Sequence, residues 1–330
     1  MFEINNRGVA MNEHKPKLIV IGLDGATWEL IKPLADNGKL PTIKRLMDNG
    51  IVGVHESTVP AVTFPAWESL FSGLNPGELG VFDFTQIDMK KKSEVINTPK
   101  TFHSRPVWDI LSDKGIRSCV INVPTSEVHP INGVMVGGAF SARDVTYPLD
   151  LKKELVKYDY EIYPTELTRV FVGSTKKQPS TNLVKRIFSS KFDLASRLIV
   201  EQKPELLVLV IFTIDNLQHF YWGQGKILKY WSILDAQLGR FISKYIGESM
   251  IMMVSDHGFT KYSRTFYTSK FLTDNKLLVY NKKHEQNDNL YFLKNIVGLG
   301  FDFVVRHGLD RFLLSIIGKE RLLRLTHFFS

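Results

Sequence analysis

Three short apolar runs in this chain each lead into an aspartate. Residues 18–23 read LIVIGL before Asp24, residues 206–214 read LLVLVIFTI before Asp215, and residues 250–255 read MIMMVS before Asp256, with His257 next. Carboxylates and an imidazole converging on one point would repel or stay poorly solvated without a cation. A divalent metal centre resolves that conflict. His219 follows Asp215 by four residues in TIDNLQHFYW. That spacing puts both on one side of a helical turn, within reach of a single ion. Asp256 and His257 are adjacent, and at a strand end they can fan toward two neighbouring positions. Each residue also has an ordinary role open to it. Asp24 can cap the next helix, and Asp215 and His219 can be a strand-end aspartate and a half-buried histidine beside aromatics.

Thr63 is the candidate nucleophile. It stands in VPAVTFPAW, between two prolines and just before a helix. A hydroxyl there sits in a stiff turn at the end of a helix that favours anions. On spacing alone, a helix N-cap threonine fits as well. Arg105 and Arg143 are candidates either to contact an anionic group or to form surface ion pairs.

The elements that must position these residues alternate. Strands are predicted at 17–23, 51–58 and 116–123 and ahead of Asp215 and Asp256. Helices are predicted over 28–37, from 40 to 50, and over 66–72, 106–115, 181–202 and 226–246. Short continuous apolar runs are expected to be strands buried on both faces, as in a parallel sheet. The alternation predicts an α/β fold: a doubly wound, mostly parallel central sheet with helices on both faces. In such sheets ligands bind beyond the carboxyl ends of the strands. Residues 1–16 are expected to be a flexible lead. Residues 17–280 form the main domain, with a polar, turn-rich cap insertion at about 141–180. Residues 281–330 form a helical C-terminal segment.

The bulk numbers narrow the classes. The chain has 330 residues, 44% hydrophobic and 23% charged, with a formal net charge of +8, which is ordinary for a globular protein. The basic excess reads as solvated surface or as attraction to anionic substrates or lipid surfaces. No finger, RRM or KH pattern points to specific nucleic-acid recognition. Cys119 is the only cysteine, so intramolecular disulfides and cysteine metal sites are excluded. The N-terminus lacks an apolar signal region. No apolar stretch reaches the roughly 20 residues that span a bilayer. A cytoplasmic protein is expected, with its oligomeric state open. Residues 290–330 alternate apolar and basic positions, which suits helices covering a core or a peripheral membrane contact.

Taken together, the blocks IGLDGAT, VPAVTFPAWESLFSGLNPG, GVFDF, PVWDILSDKGIRSCVINVP, DNLQHFYW and VSDHGF resemble the alkaline phosphatase superfamily. Within it they resemble type I phosphodiesterase/nucleotide pyrophosphatase-like proteins. The resemblance implies an alkaline phosphatase-like catalytic domain and a phosphoric ester hydrolase acting on a small phosphorylated substrate. It implies that Asp24, Thr63, Asp256 and His257 hold one metal and that Asp215 and His219 belong to a second. Both metals are expected to be zinc, with manganese as the alternative. Thr63 would attack phosphorus and form a covalent phospho-threonine. If an alcohol replaced water, the same machinery would be a phosphotransferase or phosphomutase.

The chain departs from the family pattern in three places. The block PGxHG reads Pro76-Gly77-Glu78-Leu79-Gly80. Phe84 stands where nucleotide pyrophosphatases carry an asparagine. The further second-site histidine has no matching flank among His284, His307 and His327. A C-terminally truncated relative that binds metal or phosphate and turns over little is therefore the alternative expectation.

Overall fold

The computed structural model describes residues 14–279, apart from 91–92, 102–103, 142–145, 163, 165 and 168–177. The chain divides into two compact units. One is Met1–Leu167 with Pro179–Phe259, and the other is Thr168–Gln178 with Thr260–Ser330.

The first unit runs β1 (Leu18–Leu23), α1 (Trp28–Asp36), α2 (Pro41–Asn49), α3 (Thr63–Ser72), α4 (Pro76–Leu79), β2 (Thr85–Asp88) and β3 (Ser93–Ile96). It continues α5 (Val107–Asp113), β4 (Ser118–Ile121), β5 (Gly133–Val136), β6 (Thr146–Tyr147), α6 (Lys152–Lys157) and α7 (Thr181–Gln202). It closes with β7 (Leu206–Ile211), α8 (Thr213–Tyr221), α9 (Gly225–Ile242) and β8 (Met250–Val254). In the second unit the described helix is α10 (Thr268–Asp274).

Six strands form one sheet in the order β6-β5-β4-β7-β1-β8. Every pairing is parallel except β5 with β6. The fold is the doubly wound, mostly parallel α/β sheet that the sequence predicts. Alternate strand residues point to opposite faces. Val20, Val120, Val208 and Val210 meet Trp67 and Phe71 of α3 and Trp108 of α5. The other set, including Ile19, Ile21, Cys119, Ile121, Leu207 and Leu209, is fully buried too. Helix α7 packs against β4 and β7, and α9 packs against α7.

Local chemistry sets the ends of these helices. Ser180 accepts the Leu183 N–H at 3.1 Å and opens α7 where the sequence places its start. Asp235, buried on α9, accepts the N–H groups of Thr42 and Ile43 at 3.0 and 2.8 Å. This satisfies the otherwise unpaired first turn of α2.

Four predicted features differ. Residues 51–58 form no strand: β1 is flanked by β7 and β8, and Ile51 and Val54 lie exposed. The apolar run 250–254 is a strand but is not buried on both faces, because β8 is the sheet edge and Met250 and Met252 are exposed. Helix α3 starts at Thr63 rather than Ala66, since Pro65 then falls in the first turn, where its missing N–H leaves no bond unmade. Part of the expected cap extends the sheet instead, as β6 pairs antiparallel with β5. At the start of the chain, His14 Nε2 lies 2.7 Å from the Pro204 carbonyl. The predicted C-terminal helical segment, with His284, His307 and His327, lies outside the described residues.

Candidate metal and phosphoryl-transfer site

The topology puts the three acidic strand ends side by side. β1 lies between β7 and β8, with Leu23 opposite Ile211 and Gly22 opposite Val254. Asp24 and Asp256 therefore leave the same edge two residues past that second pair. β7 stops at Ile211 and α8 begins at Thr213, so Asp215 sits in the first turn of a helix rather than on the strand. The four-residue spacing then holds His219 Nε2 3.3 Å from Asp215 Oδ2.

Five of the six predicted residues converge closely, and His219 joins them through Asp215. Asp24, Asp215, Asp256 and Thr63 are all buried. His257 Nε2 lies 3.6 Å from Asp24 Oδ1, 3.4 Å from Asp256 Oδ2 and 3.2 Å from Thr63 Oγ1. Ligand atoms of Asp24, Asp215 and His257 fall within 4.8 Å of one another, a spacing that can hold a metal ion. This trio straddles the two sites that the resemblance keeps apart. His219 is the outlying member, with its side chain 62% exposed.

Each carboxylate has one oxygen tied down or lying against a histidine. Asp24 Oδ2 accepts the Trp67 indole N–H at 2.7 Å, and Asp256 Oδ1 accepts the Gly25 N–H at 3.1 Å. The opposite oxygens, Asp24 Oδ1, Asp215 Oδ1 and Asp256 Oδ2, are buried without a hydrogen-bond donor. Such orphan oxygens are costly in a protein interior. Beside the close trio of Asp24, Asp215 and His257 they suit a cation, and the O/N donor set of carboxylates and imidazole suits a divalent one. Burial, reinforced by Asp256 and Asp215, pushes the Asp24 carboxyl well above its ordinary range. Burial pushes Asp256 up to about 7, although His257 pulls the other way. The hydrogen bond to Asp215 raises His219.

Supporting residues around the predicted ligands hold this frame. Gly25 adopts φ +64°, and a Cβ there would lie 2.5 Å from Asp215 Oδ1. Gln218 Nε2 donates to the Gly25 carbonyl at 2.8 Å, and the Trp231 indole N–H donates to Gln218 Oε1 at 3.1 Å. Ser57 Oγ donates to the Asp256 carbonyl at 2.5 Å, and Ser255 Oγ to the His257 carbonyl at 2.7 Å. Trp67 had a signal: it follows Thr63 by one helical turn. The serines and Gln218 had none. Arg105 pairs with Asp113 at the surface, and Arg143 lies outside the described residues.

A mostly parallel sheet with acidic strand ends meeting a helix-borne threonine makes this an alkaline phosphatase-like α/β protein. Residues 18–306 match the type I phosphodiesterase / nucleotide pyrophosphatase family, and the chain belongs to that family. Among solved structures, phosphonoacetate hydrolase from Sinorhizobium meliloti 1021 in complex with phosphonoacetate is 16% identical with a TM-score of 0.58. The alignment covers 80% of this chain and 63% of that one. The same enzyme with phosphonoformate gives 16% identity and a TM-score of 0.57, covering 79% and 62%. Murine ectonucleotide pyrophosphatase / phosphodiesterase 5 is 18% identical, with a TM-score of 0.48 over 75% and 58%. The chain thus spans less than two thirds of the length of these solved relatives. No curated protein matches it. No described helix is long and apolar enough to cross a membrane.

Proposed function

We propose that this chain is a metal-dependent hydrolase of phosphoric esters in which Thr63 is the nucleophile. The observation that carries the reading is the convergence of Asp24, Asp215 and His257, whose ligand atoms lie within 4.8 Å of one another, with Thr63 Oγ1 3.2 Å from His257 Nε2. Asp24, Asp256 and His257, with the Thr63 oxygen, would hold one divalent ion, and Asp215 with His219 would hold a second. Zinc is the favoured ion and manganese the alternative. When bound, such ions lower the pKa of a coordinated hydroxyl and neutralise charge on phosphoryl oxygens.

The residues of the chain supply the rest. Thr63 is the first residue of α3, so its Oγ1 is held at the positive end of a ten-residue helix. A phosphoryl group drawn to that end meets Oγ1 as nucleophile. The Oγ1–P bond forms while the ester P–O bond breaks, and the hydroxyl proton goes to the leaving oxygen, which departs as an alcohol. Water then breaks the Oγ1–P bond, returning the Thr63 hydroxyl and releasing phosphate from a monoester substrate or a phosphate monoester from a diester. Thr63 is buried, which limits competing water at the attacking oxygen.

The test is hydrolysis of bis-p-nitrophenyl phosphate and p-nitrophenyl phosphate with added zinc or manganese, by wild type and Thr63→Ala. Wild type should turn over only with metal, and the preferred substrate separates diesterase from monoesterase. Thr63→Ala should lose at least about a thousandfold in kcat, as expected when a covalent nucleophile is removed. Its circular dichroism should match wild type, and at least one metal should stay bound. Full activity in the variant removes Thr63 from the mechanism.

A further inference from the structure

Asp24 is held by a residue on another element. The Trp67 indole lies over β1, fully buried, and its N–H reaches Asp24 Oδ2 at 2.7 Å. That is short for an N–H···O bond, as expected when the acceptor is a carboxylate. The ring is fixed on two sides. It stacks on Phe71 with centroids 5.8 Å apart and planes 11° apart. It also fills the space left by Gly22, where a Cβ would fall 2.5 Å from the indole Cη2. Gly22 lies within β1, two residues before Asp24. The strand is thus shaped to admit the ring that then grips its last carboxylate. With Oδ2 taken, Oδ1 is the oxygen left facing His257, at 3.6 Å and without a donor.

We propose that Trp67 is a positioning residue for metal capture: its N–H fixes which oxygen of Asp24 is offered to the ion, and Gly22 is the strand position that makes room for it. This rests on the metal-dependent reading above. A hydrogen-bonded outer partner that orients a ligating carboxylate typically contributes about 10–100-fold to metal affinity. The Trp67 indole N–H donates to Asp24 Oδ2, so its effect runs through Asp24.

Calorimetric titration of the metal-stripped chain with zinc or manganese tests this. Trp67→Phe keeps the ring and removes the donor, and it should bind metal at least about tenfold more weakly. Trp67→His restores a ring N–H and should recover part of the loss. In an Asp24→Asn background, Trp67→Phe should add no further loss. Unchanged affinity in Trp67→Phe overturns the proposal, as does an equal loss in the Asp24→Asn background, which would mean general damage to packing. Should Trp67→Phe fail to fold, the wild type labelled with ¹⁵N in its indoles carries the test. The Trp67 resonance, assigned by replacing Trp28, Trp108, Trp222 and Trp231 in turn, should shift on metal addition, and a static resonance overturns the proposal. A wild type that takes up no metal overturns the hydrolase reading as well; a wild type that binds, with Trp67→Phe its equal, overturns this proposal alone.

Discussion

Asp24, Asp215 and Asp256 are buried together at the ends of neighbouring elements, whereas Lys191 is buried by itself in the middle of α7. Both places take charge out of water, which is expensive. They meet that expense differently. Lys191 Nζ lies 4.4 Å above the Tyr160 ring and donates to the Glu161 carbonyl at 3.3 Å. Burial pulls its pKa down to about 7, so near neutrality the amine can shed its charge. Burial, with neighbouring aspartates adding to it, likewise pushes Asp24 and Asp256 toward their neutral forms, but neutrality leaves their spare oxygens without local partners. The three aspartates keep one oxygen apiece without a hydrogen-bond donor, and Asp24 and Asp215 bring ligand atoms within 4.8 Å of each other and of His257. A solitary buried charge with local partners reads as structure; converging like charges with unmet oxygens read as a place for something else.

The largest expected effect comes from neutralising the site. Asp24→Asn should weaken metal uptake by at least about a hundredfold, since a buried charged ligand is lost. The same change should stabilise the metal-free chain. Asp24 and Asp256 have folded pKa values raised above the ordinary carboxylate range, Asp256 to about 7. Between pH 4 and 7 the unfolded chain therefore sheds protons that the fold retains, and stability falls as pH rises through that window. Melting curves in chelator should show this fall in wild type and a shallower one in Asp24→Asn. A parallel fall in both would remove Asp24 from the coupled group.

Lys191→Met should act with the opposite slope and a smaller size. The folded amine has its pKa at about 7 against an ordinary 10.5. Between those values the unfolded chain binds a proton that the fold does not, so wild-type stability rises with pH from about 7 toward 10. Lys191→Met should flatten that rise and increase Tm by a few degrees at pH 7, because the unpaid burial is gone. Metal affinity and turnover should stay as in wild type. A change in either would show that the two buried regions are coupled.

The sheet was legible because apolar runs ending in aspartate leave little other use for those residues. The three acidic ends were legible as one site because parallel strands deliver their carboxyl ends to one edge. Edge and interior were not separable: MIMMV and LLVLVI are equally apolar, yet β8 is partly exposed and β7 fully buried. Residues 51–58 carry β-branched residues at Ile51, Val52, Val54 and Thr58, but a strand needs a neighbour and none is offered there. Within the site, the predicted ligands carry charge or a ring nitrogen and so announce themselves. Ser57 and Gln218 act through hydrogen bonds set by tertiary approach, over separations of 199 residues for Ser57 with Asp256 and 193 for Gln218 with Gly25, and no local pattern encodes these.

The smallest effect separates backbone strain from the site's own crowding. Gly25 and Gly80 both adopt left-handed backbone, at φ +64° and +68°. A Cβ at Gly80 meets nothing within 4 Å, whereas one at Gly25 meets Asp215 Oδ1 at 2.5 Å. Gly80→Ala should cost only the conformational penalty, about 1 kcal/mol. Gly25→Ala carries the same penalty and must also displace Asp215, so its metal affinity should fall by a few-fold while that of Gly80→Ala does not. The extra loss lives in the Asp215 position, and adding His219→Ala should leave it unchanged if that histidine acts only through the same ion. Equal metal affinities in the two glycine variants would mean that Asp215 yields without consequence, and would take the close approach of β1 to α8 out of the account of the site.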